Sequence, residues 1–495
     1  MSITPQYETY RYTTEIARLK AQSVVECRLP GSEIGNILTV QAKVHPIETV
    51  CADGEVKYGG KLFLCILYED SDGKICRAER GAEFYHQAED KCVSPACFSK
   101  TFLAVEKVSY RREGSGLYFS TLVGAELIVY GGKQIDYLVG GDNLLCKTRE
   151  IEIKKCVCVS GETEGEDEFD GDFAGDILLH GEEALVQKVS ALSGQVEVEG
   201  EILLNLCVLK SDGKLNGYER VIPFKVTLPC EDAEGEVKSY AKAVLGRVDI
   251  TQETDEEQGT CKTFVSYTLA IDCFLYATDT LTVVSDAFSP VCQTTLVKAK
   301  DTGRYLLNTA KCVERVGGKA TLSQAVSDDY ALECAVSPKT EIAVKRTENG
   351  FEAEGVLFAE VLLSGKDGGY KKCELSLPFI FPIELTGEEA EAEGIVCGLN
   401  IRRKKDGDTE AEAIVKIVAR SYAYAEWEEI CEVEAGEEYP KTQSAFSVYG
   451  LRAGEELWDV AKRLKRDPEE LKKSNPELKF PVEQGARIFV YRQIK

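Results

Sequence analysis

One spacing constrains this chain more than any other: two glycines thirteen residues apart, at Gly60 and Gly73, Gly200 and Gly213, and Gly355 and Gly368. Between them runs an apolar stretch of strand length, such as Leu62-Phe-Leu-Cys-Ile-Leu67, that ends in Asp72-Gly73, Asp212-Gly213 or Asp367-Gly368. Six residues past the second glycine stands a glutamate (Glu79, Glu219, Glu374), and eleven past it a phenylalanine (Phe84, Phe224, Phe379). Three copies in one register mean three supersecondary units, with module lengths set by the 140- and 155-residue steps between equivalent glycines. Asp-Gly after an apolar run predicts a hairpin with a type I′ turn, so Gly73, Gly213 and Gly368 are expected at the tips with positive φ. The opening glycine of each copy reads as a bulge or sharp bend in its strand. The recurrent glutamate lacks a histidine, lysine or second acid at fixed distance and reads as a turn-stabilising surface residue.

A second antiparallel pair follows each hairpin, with period-two alternation clearest in Tyr267-Thr-Leu269-Ala-Ile271-Asp-Cys273. The expected fold is mainly β: three tandem antiparallel β-sandwich-like modules over residues 1–148, 149–298 and 299–435. A linker at 436–445 and a small α+β unit at 446–495 complete the chain. Charge and glycine mark the expected exposed segments. These are a loop or hinge over Gly161–Asp172, a loop over Glu388–Glu393, and a Pro-broken tether over Gly436–Ser444. The acidic loops lack the oxygen-ligand spacing of a calcium site.

The formal net charge of −25 argues against general nucleic-acid binding. Residues 446–495 carry +3 of their own, against −28 for the rest. A basic unit on an acidic body suits an acidic partner or anionic polymer, although such an excess is also ordinary surface variation. Nineteen cysteines sit mostly inside apolar runs, as buried free thiols do in a reducing cytosol. No CxxC occurs and there are only three histidines (His45, His86, His180), so neither a structural metal nor a cofactor is expected. Met1–Thr14 has no export-signal pattern, and no apolar run nears the roughly 20 residues that span a bilayer, so a cytoplasmic protein without transmembrane segment is expected. Catalysis would need a nucleophile with its base, paired acids or a metal. With no G-x-S-x-G or HExxH motif, the chain reads as non-enzymatic.

The last fifty residues fold by a different rule. Leu457, Val460, Ala461 and Leu464 share one helical face. Asp467 is expected to cap a second helix, with Pro468 in its first turn, Glu470 completing a capping box and Asn475-Pro476 ending it. Strands at Phe446–Leu451 and Arg487–Tyr491 flank the pair. Tyr449-Gly-Leu-Arg-Ala-Gly454-Glu-Glu-Leu457-Trp458-Asp-Val-Ala461, then Asn475-Pro476, then Gly485-Ala-Arg-Ile488, resembles a LysM domain.

That resemblance implies a groove for N-acetylglucosamine polymers lined by Gly454, Glu455, Glu456, Leu457, Asn475, Pro476 and Gly485. Glu455-Glu456 stand where the family has Asp-Thr, and Ala486 where it has Gln. Trp458 and Leu457 are expected as structural anchors, and Lys462, Arg463, Lys465 and Arg466 as a basic rim for a protein partner. Three repeats with one C-terminal LysM unit resemble the spore-coat-assembly (SPOCS) proteins, closest to the clostridial coat morphogenetic LysM proteins. The resemblance implies an adaptor or scaffold in the mother-cell cytoplasm, at the forespore surface, that binds a coat basement-layer ATPase and other coat proteins. Peptidoglycan or its precursor, bound conventionally by the LysM unit, is the alternative partner.

Overall fold

The computed structural model describes residues 2–491 apart from 32–33, 115, 172–174, 234–236, 256–259, 328, 349, 367, 405–407, 441–445 and 484. The first module comprises β1 (Thr4–Pro30), β2 (Ile37–Ala52), β3 (Glu55–Glu69), β4 (Ile75–Glu89), β5 (Phe98–Glu113) and β6 (Gly116–Asp142). The second comprises β7 (Leu145–Gly171), β8 (Gly175–Leu192), β9 (Gln195–Lys210), β10 (Leu215–Pro229), β11 (Lys238–Asp255) and β12 (Thr260–Phe288). The third comprises β13 (Cys292–Lys319), the two-residue β14 (Thr321–Leu322), β15 (Tyr330–Thr347), β16 (Gly350–Gly365), β17 (Tyr370–Ile383), β18 (Glu389–Arg403) and β19 (Thr409–Glu438). A C-terminal unit holds β20 (Phe446–Leu451), α1 (Leu457–Leu464), α2 (Pro468–Ser474) and β21 (Ala486–Tyr491).

The expected boundaries shift slightly, because each module opens on a long strand that starts within a few residues of the last one. Residues 145–148 and 292–298 belong to the strands that open the second and third modules, and 436–438 continue β19. Long strands form one sheet per module (β1-β6-β5, β7-β12-β11, β13-β19-β18) and the hairpins form another (β2-β3-β4, β8-β9-β10, and β15-β16-β17 with β14 on its edge). The two sheets of each module enclose one apolar cluster, exemplified by Leu62 and Leu127, Leu204 and Leu269, and Leu357 and Val415. All nineteen cysteines are free thiols.

The repeat has a concrete geometry. Gly73, Gly213 and Gly368 adopt φ of 76°, 82° and 84° at the hairpin tips, and Asp367 lies outside the described residues. The turns are not type I′. Gly73 N–H donates to Asp70 C=O (3.2 Å) and Asp70 N–H to Lys74 C=O (3.0 Å), closing a three-residue loop. Lys210–Lys214 and Gly365–Gly369 repeat both bonds. This is a tight turn followed by a left-handed bulge, in which only the final glycine needs positive φ. Asp70 Oδ1 favours it by accepting from the N–H groups of Asp72 and Lys74, both at 2.9 Å.

The bulge expected at the opening glycines falls on the neighbouring strand in two copies: the register shifts between Pro46 and Thr49 of β2, opposite Gly60, and between Val186 and Lys188 of β8, opposite Gly200. On the hairpin side Gly60 faces Phe84, Gly200 faces Phe224 and Gly355 faces Phe379 without a shift. A Cβ at any of these glycines would collide with the phenylalanine ring, so the glycine is the seat on which the aromatic lies. The recurrent glutamates do not steady their turns. Glu219 reaches the next module, where its carboxylate accepts from Gly398 N–H at 2.8 and 3.0 Å. Glu79 pairs with Arg77, and Glu374 is bonded through its N–H to Ser323 Oγ (2.9 Å).

The modules close into one body around a pseudo-threefold axis. Tyr130, Tyr276 and Tyr422, each 146 residues apart, meet in one buried cluster, and Leu138, Val284 and Ile430 meet in another. At the hairpin end Leu67, Cys207 and Leu362, equivalent through the glycine repeat, form a third. Two segments expected as loops are part of this body. Gly161–Gly171 is strand, paired with β12 from Gly161↔Ile271 to Gly171↔Cys261; the expected Asp172 lies outside the described residues. Its acids point outward at every second residue from Glu162 to Asp170, where Lys262 meets Glu168 (3.1 Å), while the half-buried Asp167 on the other face meets Arg220 (2.9 Å). Glu389–Glu393 opens β18, and Glu391 enters the axis, matched by Arg18 at 3.1 Å and by Arg420 at 3.4 Å. The expected tether keeps only its start within the described residues.

Candidate functional site

The C-terminal unit, which carries the expected site, is built around the apolar face of α1. Val460, Ala461 and Leu464 are buried with Leu451, Leu471, Val482, Ile488 and Val490. Lys465 ends α1 in a left-handed conformation, φ 55°. Asp467 caps α2 by accepting from Glu469 N–H (2.8 Å) rather than from Glu470, so the capping box is not formed. β20 and β21 pair antiparallel from Phe446↔Tyr491 to Leu451↔Ala486.

The loops before α1 and after α2 do come together. Gly454 N–H donates to Val482 C=O (2.7 Å), and Val482 N–H donates back to Glu455 C=O (3.0 Å). Gly454, Pro476 and Gly485 are exposed and Leu457 is half-buried. The polar members are already engaged. Glu455 accepts from Arg452 N–H (2.9 Å) and pairs with Arg463, which together hold its carboxyl below the usual range. Glu456 faces Lys147 of β7 at 3.4 Å.

Asn475 belongs to the frame of the unit. Its amide donates to Leu471 C=O (2.9 Å) and Phe489 C=O (2.8 Å) and accepts from Phe489 N–H (2.8 Å), tying the end of α2 to β21. A buried side-chain amide must satisfy its donors and acceptor, and a strand backbone supplies both.

The anchor and the rim behave differently from the sequence expectation. Trp458 is half-buried and faces the second module, where its indole N–H donates to Asp286 Oδ2 (2.8 Å) and its ring meets Phe288 edge-on at 5.1 Å. Lys462 does not stand free; it grips the same carboxylate at 2.6 and 2.8 Å. Burial alone would raise the Asp286 pKa, but Lys462 and the indole bring it below its ordinary value. Arg463 is held by Glu455, and Lys465 lies 3.1 Å over the Tyr439 ring. Arg466 is half-buried, its N–H on Ala461 C=O (3.0 Å). Of the expected rim only Lys462 reaches an acid of the β body, while Arg463 and Arg466 bond within the C-terminal unit.

What remains outward is a surface that helix-based reasoning passed over. Phe446 and Val448 of β20 lie opposite Tyr491 and Phe489 of β21, and these four are 48%, 45%, 62% and 41% exposed. Phe446 stacks on Phe489 at 5.8 Å and lies 5.2 Å from Tyr491. The signal was present in Ile488-Phe-Val490-Tyr491, which is apolar on both faces although one suffices for the core.

Among the described residues no helix is long and apolar enough to cross a membrane, and no three metal-ligating side chains converge. No protein-family model, curated protein or solved structure matches the chain.

Proposed function

We propose that this chain is a non-enzymatic adaptor of the spore-coat-assembly kind, a scaffold whose C-terminal LysM-like unit docks on a coat basement-layer ATPase at the forespore surface. The repeat pattern and the residues of the C-terminal unit support this reading through their resemblance to that family. The observation that carries it is the aromatic face of β20 and β21, presented to solvent by a unit whose Trp458 and Lys462 are engaged with its own body. An exposed contiguous apolar patch of this kind marks an interaction surface. A conventional glycan-binding reading draws on the apposed loops with Gly454, Pro476 and Gly485 exposed.

Titration of the full chain against the ATPase and against chitin-type oligosaccharides separates the two readings. The adaptor reading expects ATPase binding that Phe489→Ser/Tyr491→Ser weakens by at least about tenfold, the loss of two interface anchors. Tight oligosaccharide binding with no ATPase binding overturns it in favour of the glycan reading.

A further inference from the structure

The pseudo-threefold arrangement allows one contact between modules to be compared with its own counterpart. Where the second module meets the third, Leu185 and Leu203 pack on Ile395, Cys397 and Val418, with Val221 against them. The same positions on the first module are His45, Phe63 and Gly81, and the second module offers Gly246 where the third offers Cys397. Gly81 and Gly246 are smaller than their counterparts and His45 is more polar than Leu185, and that contact stays open. A cleft of about 950 Å³ remains between the first and second modules, within the range of small-molecule sites.

Its lining runs against the charge of the chain. Lys61, Arg77, Arg80 and Arg247 border it, in a protein of net charge −25. On its wall Lys43 is neutralised by Glu182 (2.7 Å), with His180 beside them at 3.1 Å from the same carboxylate. Arg77 is taken by Glu79 and Arg247 by Asp249, while Lys61 has no ion-pair partner among the described residues; Arg80, opposite the core residue Leu64 on the ladder, projects from the other face of the sheet. Apolar surface lies beside these cations: Phe63 and Ile47 are 41% and 47% exposed at the cleft. Lys61 Nζ is 5.1 Å from the Phe63 ring centre, and the His45 ring meets Phe63 edge-on at 5.7 Å. The buried Nδ1 of His45 finds no hydrogen-bond partner among the described residues.

We propose that this cleft is a binding site for an organic anion with an apolar or aromatic body. The anionic group meets Lys61 and the body lies on Phe63 and Ile47. The site is independent of the aromatic face on the C-terminal unit and of the adaptor reading.

The full-length chain, titrated with 8-anilinonaphthalene-1-sulfonate and followed by fluorescence, provides the test. The neutral N-phenyl-1-naphthylamine serves as the body without the charge. Two variants accompany the native protein. His45→Leu/Gly81→Val fills the cleft with the residues of the sister contact, and a Cβ at Gly81 meets nothing closer than 3.7 Å. Lys61→Glu changes only an exposed side chain and decides the matter alone should the first variant not fold. The expected result is one saturable site for the sulfonate, at least about tenfold weaker for the neutral probe, lost on filling the cleft and at least about tenfold weaker on charge reversal, one lost ion contact being worth that much. Native-like affinity for the sulfonate in either folded variant overturns the proposal.

Discussion

The interiors of the three modules and the axis between them are chemically unlike. Each interior is hydrocarbon: Val196, Val198, Leu204 and Leu269 in the second module, Leu357, Val361 and Val415 in the third. The axis sets tyrosines among ions. Arg18 bonds Glu126 (2.8 Å) and Glu391 (3.1 Å), Arg304 bonds Glu15 (3.3 Å), and Arg420 bonds Glu393 (3.0 Å) while lying 4.6 Å over the Tyr240 ring. Burial of apolar area supplies strength without direction. Buried ions supply little net strength but penalise any arrangement that leaves one unpaired. Three modules with the same hairpin could meet in several orders, and the ionic axis selects one.

The largest expected effect tests that division directly. Arg420→Ala leaves Glu391 and Glu393 facing each other in a site where Arg420 is 2% exposed. It is expected to cost about 3–5 kcal/mol by denaturant unfolding, with the modules separating before they unfold. Leu357→Ala, in an interior with 0% exposure, should cost about 3 kcal/mol without separating them. The reverse order of costs, or separation in the leucine variant, would erase the distinction.

Acid and alkali sharpen it from opposite sides. Burial would raise the Glu391 pKa, but Arg420, Arg18, Lys242 and Tyr422 hold it at about 2, below its ordinary 4.5. Its folded pKa is depressed, so its contribution is complete above pH 4.5 and is lost as pH falls toward 2. Glu183, at the contact of the second and third modules, is raised by burial to about 7. Its destabilisation is absent below pH 4.5 and complete above pH 7. Glu183→Gln should therefore raise the thermal midpoint at pH 8, by a stabilisation on the order of 1–3 kcal/mol, and leave it unchanged at pH 4. An equal gain at both pH values would remove ionisation as the cause.

The smallest effect concerns the seam to the C-terminal unit. Trp458→Ala should release that unit from Asp286 and Phe288, lowering amide protection over Phe446–Tyr491 while the β body changes by under about 1 kcal/mol. Loss of protection throughout the body would show that the unit shares its cooperativity.

What could be read from the sequence was local. Hairpins, turn glycines and the helix stripe are written in spacings of a few residues, so Gly73 and Val460 took their expected places. The acidic run over Glu162–Asp170 was misread because its charge outweighed its alternation with Gly161, Thr163 and Gly165, which is a strand pattern. Trp458 packs against the core of its own unit, but its contacts with Asp286 and Phe288 were not legible because those partners lie in another module. The axis left no local trace at all: nothing near Tyr130 announces Tyr276 or Tyr422.

Carrying the trimer on one chain has a consequence of its own. Three identical subunits must present the same surface at every junction, so a change that opens one opens all three. Covalent linkage lifts that obligation. One junction here is sealed by Leu185, Leu203 and Val221, while its sister stays open at His45 and Gly81. A gap that would hollow out a symmetric assembly is tolerated because the closed junction beside it holds the ring together.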